Sequence, residues 1–125
     1  MKLIDVVNAN MAVTKMSGLM WPYDLALALV KVRRSTADET VFFAERELEL
    51  LNEFAAFDDN GDVRLSPSGR CLFKDPTRGD EYERARALLC DTDAGGTFSV
   101  LRVKAPAEIQ PDWLAALDGF IEFVT

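Results

Sequence analysis

The carboxylates carry most of the chemistry open to this chain. Glu45, Glu49 and Glu53 fall four residues apart, so a helix through them sets three carboxylates on one face, about 6 Å apart along its axis. Asp58 and Asp59 follow closely. The stretch 38–62 holds nine acids (Asp38, Glu39, Glu45, Glu47, Glu49, Glu53, Asp58, Asp59, Asp62) and one base, Arg46. Against a formal net charge of −7 for the whole chain, this one stretch carries the entire excess. A field of that sign repels phosphate, so direct nucleic-acid binding is not expected. It attracts a basic protein surface, including one built to hold nucleic acid.

Other chemistries fail on spacing. An EF-hand loop needs oxygen ligands at positions 1, 3 and 5, glycine at 6 and glutamate at 12. Counted from Asp58, glycine falls at position 4 and position 12 is Gly69, so Asp59-Asn60-Gly61-Asp62 reads as a reverse turn. Nothing singles out a carboxylate pair as acid and base or as a magnesium site. The chain has no histidine to act as base, to bind zinc or to activate Cys71 or Cys90. Gly95-Gly96 leads into a strand pattern rather than a helix, which excludes a phosphate loop. Arg33-Arg34 and the pair Arg84 and Arg86 are too sparse for a nucleic-acid patch. The expectation is a protein that is not an enzyme, with no cofactor and no metal site. Trp113 is expected in the core. Trp21, beside Pro22 in a connector, is a candidate interface anchor.

These residues need elements to position them. Met1–Val7 reads as a short strand from its β-prone Leu3, Ile4, Val6 and Val7. Asn8 or Asn10 can then cap a short helix with Met11, Val13 and Met16, stopped near Gly18. From Pro22 to about Ala56 nothing breaks a helix, and Leu25, Ala28, Leu29, Val32, Thr36, Phe43, Leu50 and Phe54 mark an apolar stripe. Its weak link is Ser35–Thr40, where a bend would divide it. Val63–Leu65 and Cys71–Phe73 read as strands either side of a Ser66–Gly69 turn. Thr77–Cys90 reads as a helix with Tyr82, Ala85, Leu88 and Leu89 inward, and Thr97–Val103 as a buried strand. Pro111 opens a last helix carrying Trp113, Leu114, Leu117, Phe120, Ile121 and Phe123. The expected class is α+β: a long or bent helix from about 22 to 55 plus two shorter helices, packed on a small, mainly antiparallel sheet.

At 125 residues the chain is expected to form a single domain, 1–125. The apolar run Leu25–Val30 meets Lys31, Arg33 and Arg34 far short of a membrane span, and Asp5 comes too early for a signal peptide. Two cysteines do not make a disulfide framework and suit a reducing compartment, so a cytoplasmic protein is expected.

Several segments together resemble a family of small phage and prophage proteins grouped as a domain of unknown function. They are Asn8-Ala9-Asn10; Pro22-Tyr23-Asp24-Leu25-Ala26, opening a helix that continues through Ala44-Glu45-Arg46-Glu47 to Leu51; Asp58-Asp59-Asn60-Gly61; and Leu114–Glu122. The likeness is one of layout over nearly the whole chain, and the middle helix is poorer in lysine than the pattern. It implies a mobile-element origin and carries over no active residue. From that origin, the expected function is inhibition of a host defence effector, in the manner of an anti-CRISPR protein. Glu45, Glu49, Glu53, Asp58, Asp59 and Trp21 would form the contact with a host or phage protein. An accessory component of virion or tail assembly is the alternative, and a carboxylate- and metal-dependent enzyme the second alternative.

Overall fold

A computed structural model describes residues 1–96 and 98–125. Its elements are helices α1 (Leu3–Met16), α2 (Tyr23–Phe54) and α3 (Gly79–Asp91), strand β1 (Leu101–Lys104), helix α4 (Pro111–Leu117) and strand β2 (Ile121–Val124), with a 3-10 turn at Pro76–Arg78 before α3.

The first element corrects the sequence reading: residues 3–7 are helical, not a strand, and they open a 14-residue helix that runs through to Met16. Leu3, Val6, Val7, Ala9, Val13 and Met16 recur at three- and four-residue steps, and all are buried on one side. Burial of that stripe against α2 overrides the β preference of its valines.

α2 is one unbroken helix of 32 residues, about 48 Å long. The Ser35–Thr40 segment does not interrupt it. Ser35 Oγ donates to Val32 O (3.0 Å), Thr36 Oγ1 to Val32 O (2.8 Å) and Thr40 Oγ1 to Thr36 O (2.7 Å). The hydroxyls that compete with a helix in isolation are here turned back onto its own carbonyls. Thr36 is wholly buried and also accepts from Asn10 Nδ2 at 3.1 Å, which ties α2 to α1.

Beyond α2 the expected strands at 63–65 and 71–73 are reduced to single antiparallel bridges, Ala55–Phe73, Phe57–Val63 and Leu65–Cys71. Arg64 N donates to Ala56 O, Leu72 N to Arg64 O and Ala56 N to Leu72 O, all at 2.8–2.9 Å. Each segment therefore bonds both others, and the three close into a small triangle instead of extending as a sheet. The turns between them are as expected, with Gly61 and Gly69 at φ +83°. Phe73 and Tyr82 from α3 close over Phe54 (ring centroids 5.3 Å for Phe73–Tyr82 and 5.9 Å for Phe54–Tyr82). Leu88, expected inward, is 73% exposed.

The sheet is parallel, not antiparallel: β1 and β2 pair in register from Leu101–Ile121 to Lys104–Val124. The last helix stops at Leu117, and Asp118-Gly119 (φ +86° at the glycine) turns the chain so that Phe120–Val124 becomes the end of a strand–helix–strand unit. Sixteen residues including α4 make the crossover that parallel pairing requires. β1 begins four residues later than the expected Thr97; Thr97 itself lies outside the described residues, and Val100 is 52% exposed.

One core joins α1, α2 and this unit: Val6, Val13 and Met16, Leu25, Leu29 and Val32, and Val103, Leu117, Phe120 and Ile121. Burying each such side chain contributes about 1.5–3 kcal/mol. A second, smaller cluster of Leu3, Val7 and Phe43, with Ile4, Leu89 and Cys90 beside it, lies where α3 meets α1 and α2.

Candidate interaction surfaces

α2 carries Glu45, Glu49 and Glu53 as expected, all exposed along its second half. Two of the three have partners. Glu49 Oε2 pairs with Arg46 at 3.1 Å and Glu53 Oε1 with Arg78 at 3.4 Å. Arg86 binds Glu47 Oε2 through Nε and Nη2 at 3.2 and 3.1 Å. Among the described residues Asp38, Glu39, Glu45, Asp59 and Asp62 have no ion-pair partner.

The bases Arg78 and Arg86 come from beyond the acidic stretch, and their role was not apparent in the sequence. The last turn of α2 has no base of its own, although its carbonyls form the negative end of the helix dipole. Lys74 Nζ supplies one by donating to Asn52 O (2.6 Å). Arg78 supplies another: its guanidinium stacks 4.5 Å over the Phe54 ring and binds Glu81 Oε2 at 2.8 Å. The hydrogen bond to Glu81 holds Arg78 above its ordinary pKa, and the same bond holds the Glu81 carboxyl below its own. Only a fold that returns the chain to the end of α2 brings these groups together.

Asp58 is committed to its turn. Its Oδ1 accepts the N–H groups of Asn60 (2.9 Å) and Asp62 (3.0 Å), which braces the reverse turn, and Asp59 stands free on its tip. Among the described residues no group of three or more His, Cys, Asp or Glu is placed to hold a metal ion. Burial pushes the Cys71 thiol up, away from thiolate. Cys90 Sγ lies 3.8 Å from Arg86 Nη1.

Trp21 is at the other end of the molecule, the length of α2 away from Glu53. The six expected contact residues therefore do not form one site within a chain. Trp21 is half-buried: Nε1 donates to Met16 O (2.9 Å) and the ring meets Trp113 edge-on at a centroid distance of 6.2 Å. Its neighbours, not the tryptophan, face solvent. Met20 is 99% exposed and Tyr23 77%, with Leu19 and Leu27 also open. Met20 and Tyr23 lie outside any periodic pattern, so no signal in the sequence marks them as a surface.

A groove of about 650 Å³ runs between α1 and α4, walled by Asp5, Asn8, Met11 and Lys15 on one side and by Asp112 and Trp113 on the other. Its polar groups are spread along the walls and do not converge on a point.

The arrangement defines a small α+β protein whose distinguishing surfaces are an acidic half-helix and an apolar knuckle at the opposite end of the same helix. No protein-family model, curated protein or solved structure matches the chain. No helix among the described residues is long and apolar enough to cross a membrane.

Proposed function

We infer that this is a non-enzymatic binding protein of phage or prophage origin that blocks a host defence effector by occupying a basic surface. The observation that supports this reading is the acidic half of α2. Carboxylates about 6 Å apart project from a rigid helix, and the acidic turn at 58–62 follows shortly after its end in the chain. Glu45, Glu49, Glu53 and Asp59 make the contact. Asp58 shapes the turn that carries Asp59, and Trp21 takes no part. A groove evolved for phosphates would accept such a row through long-range attraction and desolvated ion pairs.

The test is capture from host lysate by the wild-type chain and by Glu45→Gln/Glu49→Gln/Glu53→Gln. A partner should be retained by the wild type, lost by the triple variant, released between about 0.1 and 0.5 M salt, and displaced by added duplex DNA or RNA. Equal retention by both proteins would sink the idea.

A second reading, an accessory part of a virion or tail assembly, draws on the exposed Leu19, Met20 and Tyr23. It expects Met20→Ser/Tyr23→Ser to abolish association with particles, with no dependence on salt.

A further inference from the structure

We propose that two copies of the chain pair through the solvent face of α2, antiparallel, about a two-fold axis level with Thr36.

Leu27, Lys31, Arg34, Asp38, Val41, Glu45 and Leu48 recur at alternating steps of four and three and so lie in one line along the helix. All seven are exposed, on the side opposite the buried Leu25, Leu29, Val32, Thr36 and Phe43. The line is that of a two-helix seam, with no partner inside the chain. Its apolar members are well open: Leu27 at 40%, Val41 at 57% and Leu48 at 55%. None of its four charged members forms an ion pair among the described residues.

The order of charge along the line identifies the occupant. Its N-terminal half holds bases (Lys31, Arg34) and its C-terminal half acids (Asp38, Glu45), each beside apolar residues. A second copy running antiparallel, with position 36 + n facing position 36 − n, satisfies both. Leu27 sits between Val41 and Leu48 of the second copy. Lys31 lies between its Asp38 and Glu45, and Arg34 opposite its Asp38. Each contact occurs twice, as a two-fold interface demands. Parallel pairing would set Lys31, Arg34, Asp38 and Glu45 each against itself, a like-charge cost in four of the seven layers. By this register Leu27 shares a layer with Glu45, Lys31 with Val41 and Arg34 with Asp38; the opposed charges fix register and direction, and Leu27 and Val41 supply the burial, beside the apolar stems of Glu45 and Lys31. The pairing also brings the Leu19–Tyr23 knuckle of one copy level with the end of α2 of the other. Of the residues proposed to contact a host effector it engages Glu45 and leaves Glu49, Glu53 and Asp59 open, so a monomeric chain that still captures its partner overturns this inference and not the proposed function.

The test is the mass of the purified chain by sedimentation equilibrium at about 100 µM. The expected value is twice 13.9 kDa. Leu27→Glu and Lys31→Glu/Arg34→Glu should each weaken the dimer at least tenfold while circular dichroism stays unchanged, since all three positions are exposed. Adding Asp38→Lys and Glu45→Lys to the latter should restore it. A spin label at Asn52, just beyond the paired stretch, in a Cys71→Ser/Cys90→Ser background should report a separation of about 50 Å, against under about 20 Å for parallel helices. A monomer at that concentration, a dimer indifferent to the substitutions, or the shorter separation overturns the proposal.

Discussion

The two halves of α2 are held in place by different physics. From Tyr23 to Thr36 the helix buries Leu25, Ala28, Leu29, Val32 and Thr36 against α1 and the strand–helix–strand unit. From Ala37 to Phe54 only Phe43 and Phe54 are fully buried, and the helix is retained by Arg78, Arg86 and Lys74 reaching across from later segments. The first half is fixed by area removed from water. The second is fixed by aromatic contacts and screened ion pairs, each of small worth on its own. A face held in that way is free to carry charge, because its sequence is not needed for packing.

The largest expected effect separates the halves by stability. Phe120 is 1% exposed and meets Phe98 edge-to-face at a centroid distance of 5.2 Å, in the core that the first half joins. Phe120→Ala should cost about 3–5 kcal/mol in global unfolding. Phe54→Ala should fall at the low end of that range. Its increase in amide exchange should be confined to residues 51–91, leaving α1 and the first half protected. If Phe54→Ala opens α1 to exchange as readily as Phe120→Ala does, the chain unfolds as one unit and the division is not energetic.

What the sequence made legible follows the same division. The stripe from Leu25 to Phe54, the two tight turns and α3 could be read because each rests on local spacing or on a glycine's freedom. α1 was masked by Val6, Val7 and Ile4, whose β preference is weaker than the burial of Leu3, Val6, Val13 and Met16 on one helical face. The parallel β2 was masked because Leu117, Phe120 and Ile121 continue the helical spacing of α4, and only Gly119 at φ +86° marks the change of backbone. The acidic row was legible, but its partial neutralisation was not. Arg78 and Glu53 are 25 residues apart and Arg86 and Glu47 39 apart, beyond any periodic signal.

A smaller effect concerns the joint between the halves. Thr36 is the one buried polar side chain of α2, and it receives Asn10 Nδ2 while donating to Val32 O. Thr36→Val keeps the shape and leaves the Asn10 amide without that acceptor, so it should cost about 1 kcal/mol. Asn10→Ala in the Thr36→Val background should then cost less than in the wild type. In a double-mutant cycle by urea unfolding, strict additivity would mean that the bond contributes nothing to the joint.

The smallest effect bears most directly on why the second half is acidic. Glu45 and Glu49 are like charges four residues apart on one face, which destabilises a helix by about 0.2–0.5 kcal/mol at low salt. Arg46 already serves Glu49, and among the described residues no base of the chain pairs with Glu45. Glu53, by contrast, meets the negative end of the helix but has Arg78 beside it. At concentrations low enough to leave the chain monomeric, Glu45→Gln should therefore raise the unfolding midpoint slightly at low salt, a gain that fades as salt is added, whereas Glu53→Gln should lower it. Opposite signs for two glutamates eight residues apart would mark Glu45 as a charge retained at some cost to the fold, as expected of a residue kept for a partner. A loss of stability in both would make the whole row part of the scaffold, and the freedom attributed to the second half of α2 would disappear with it.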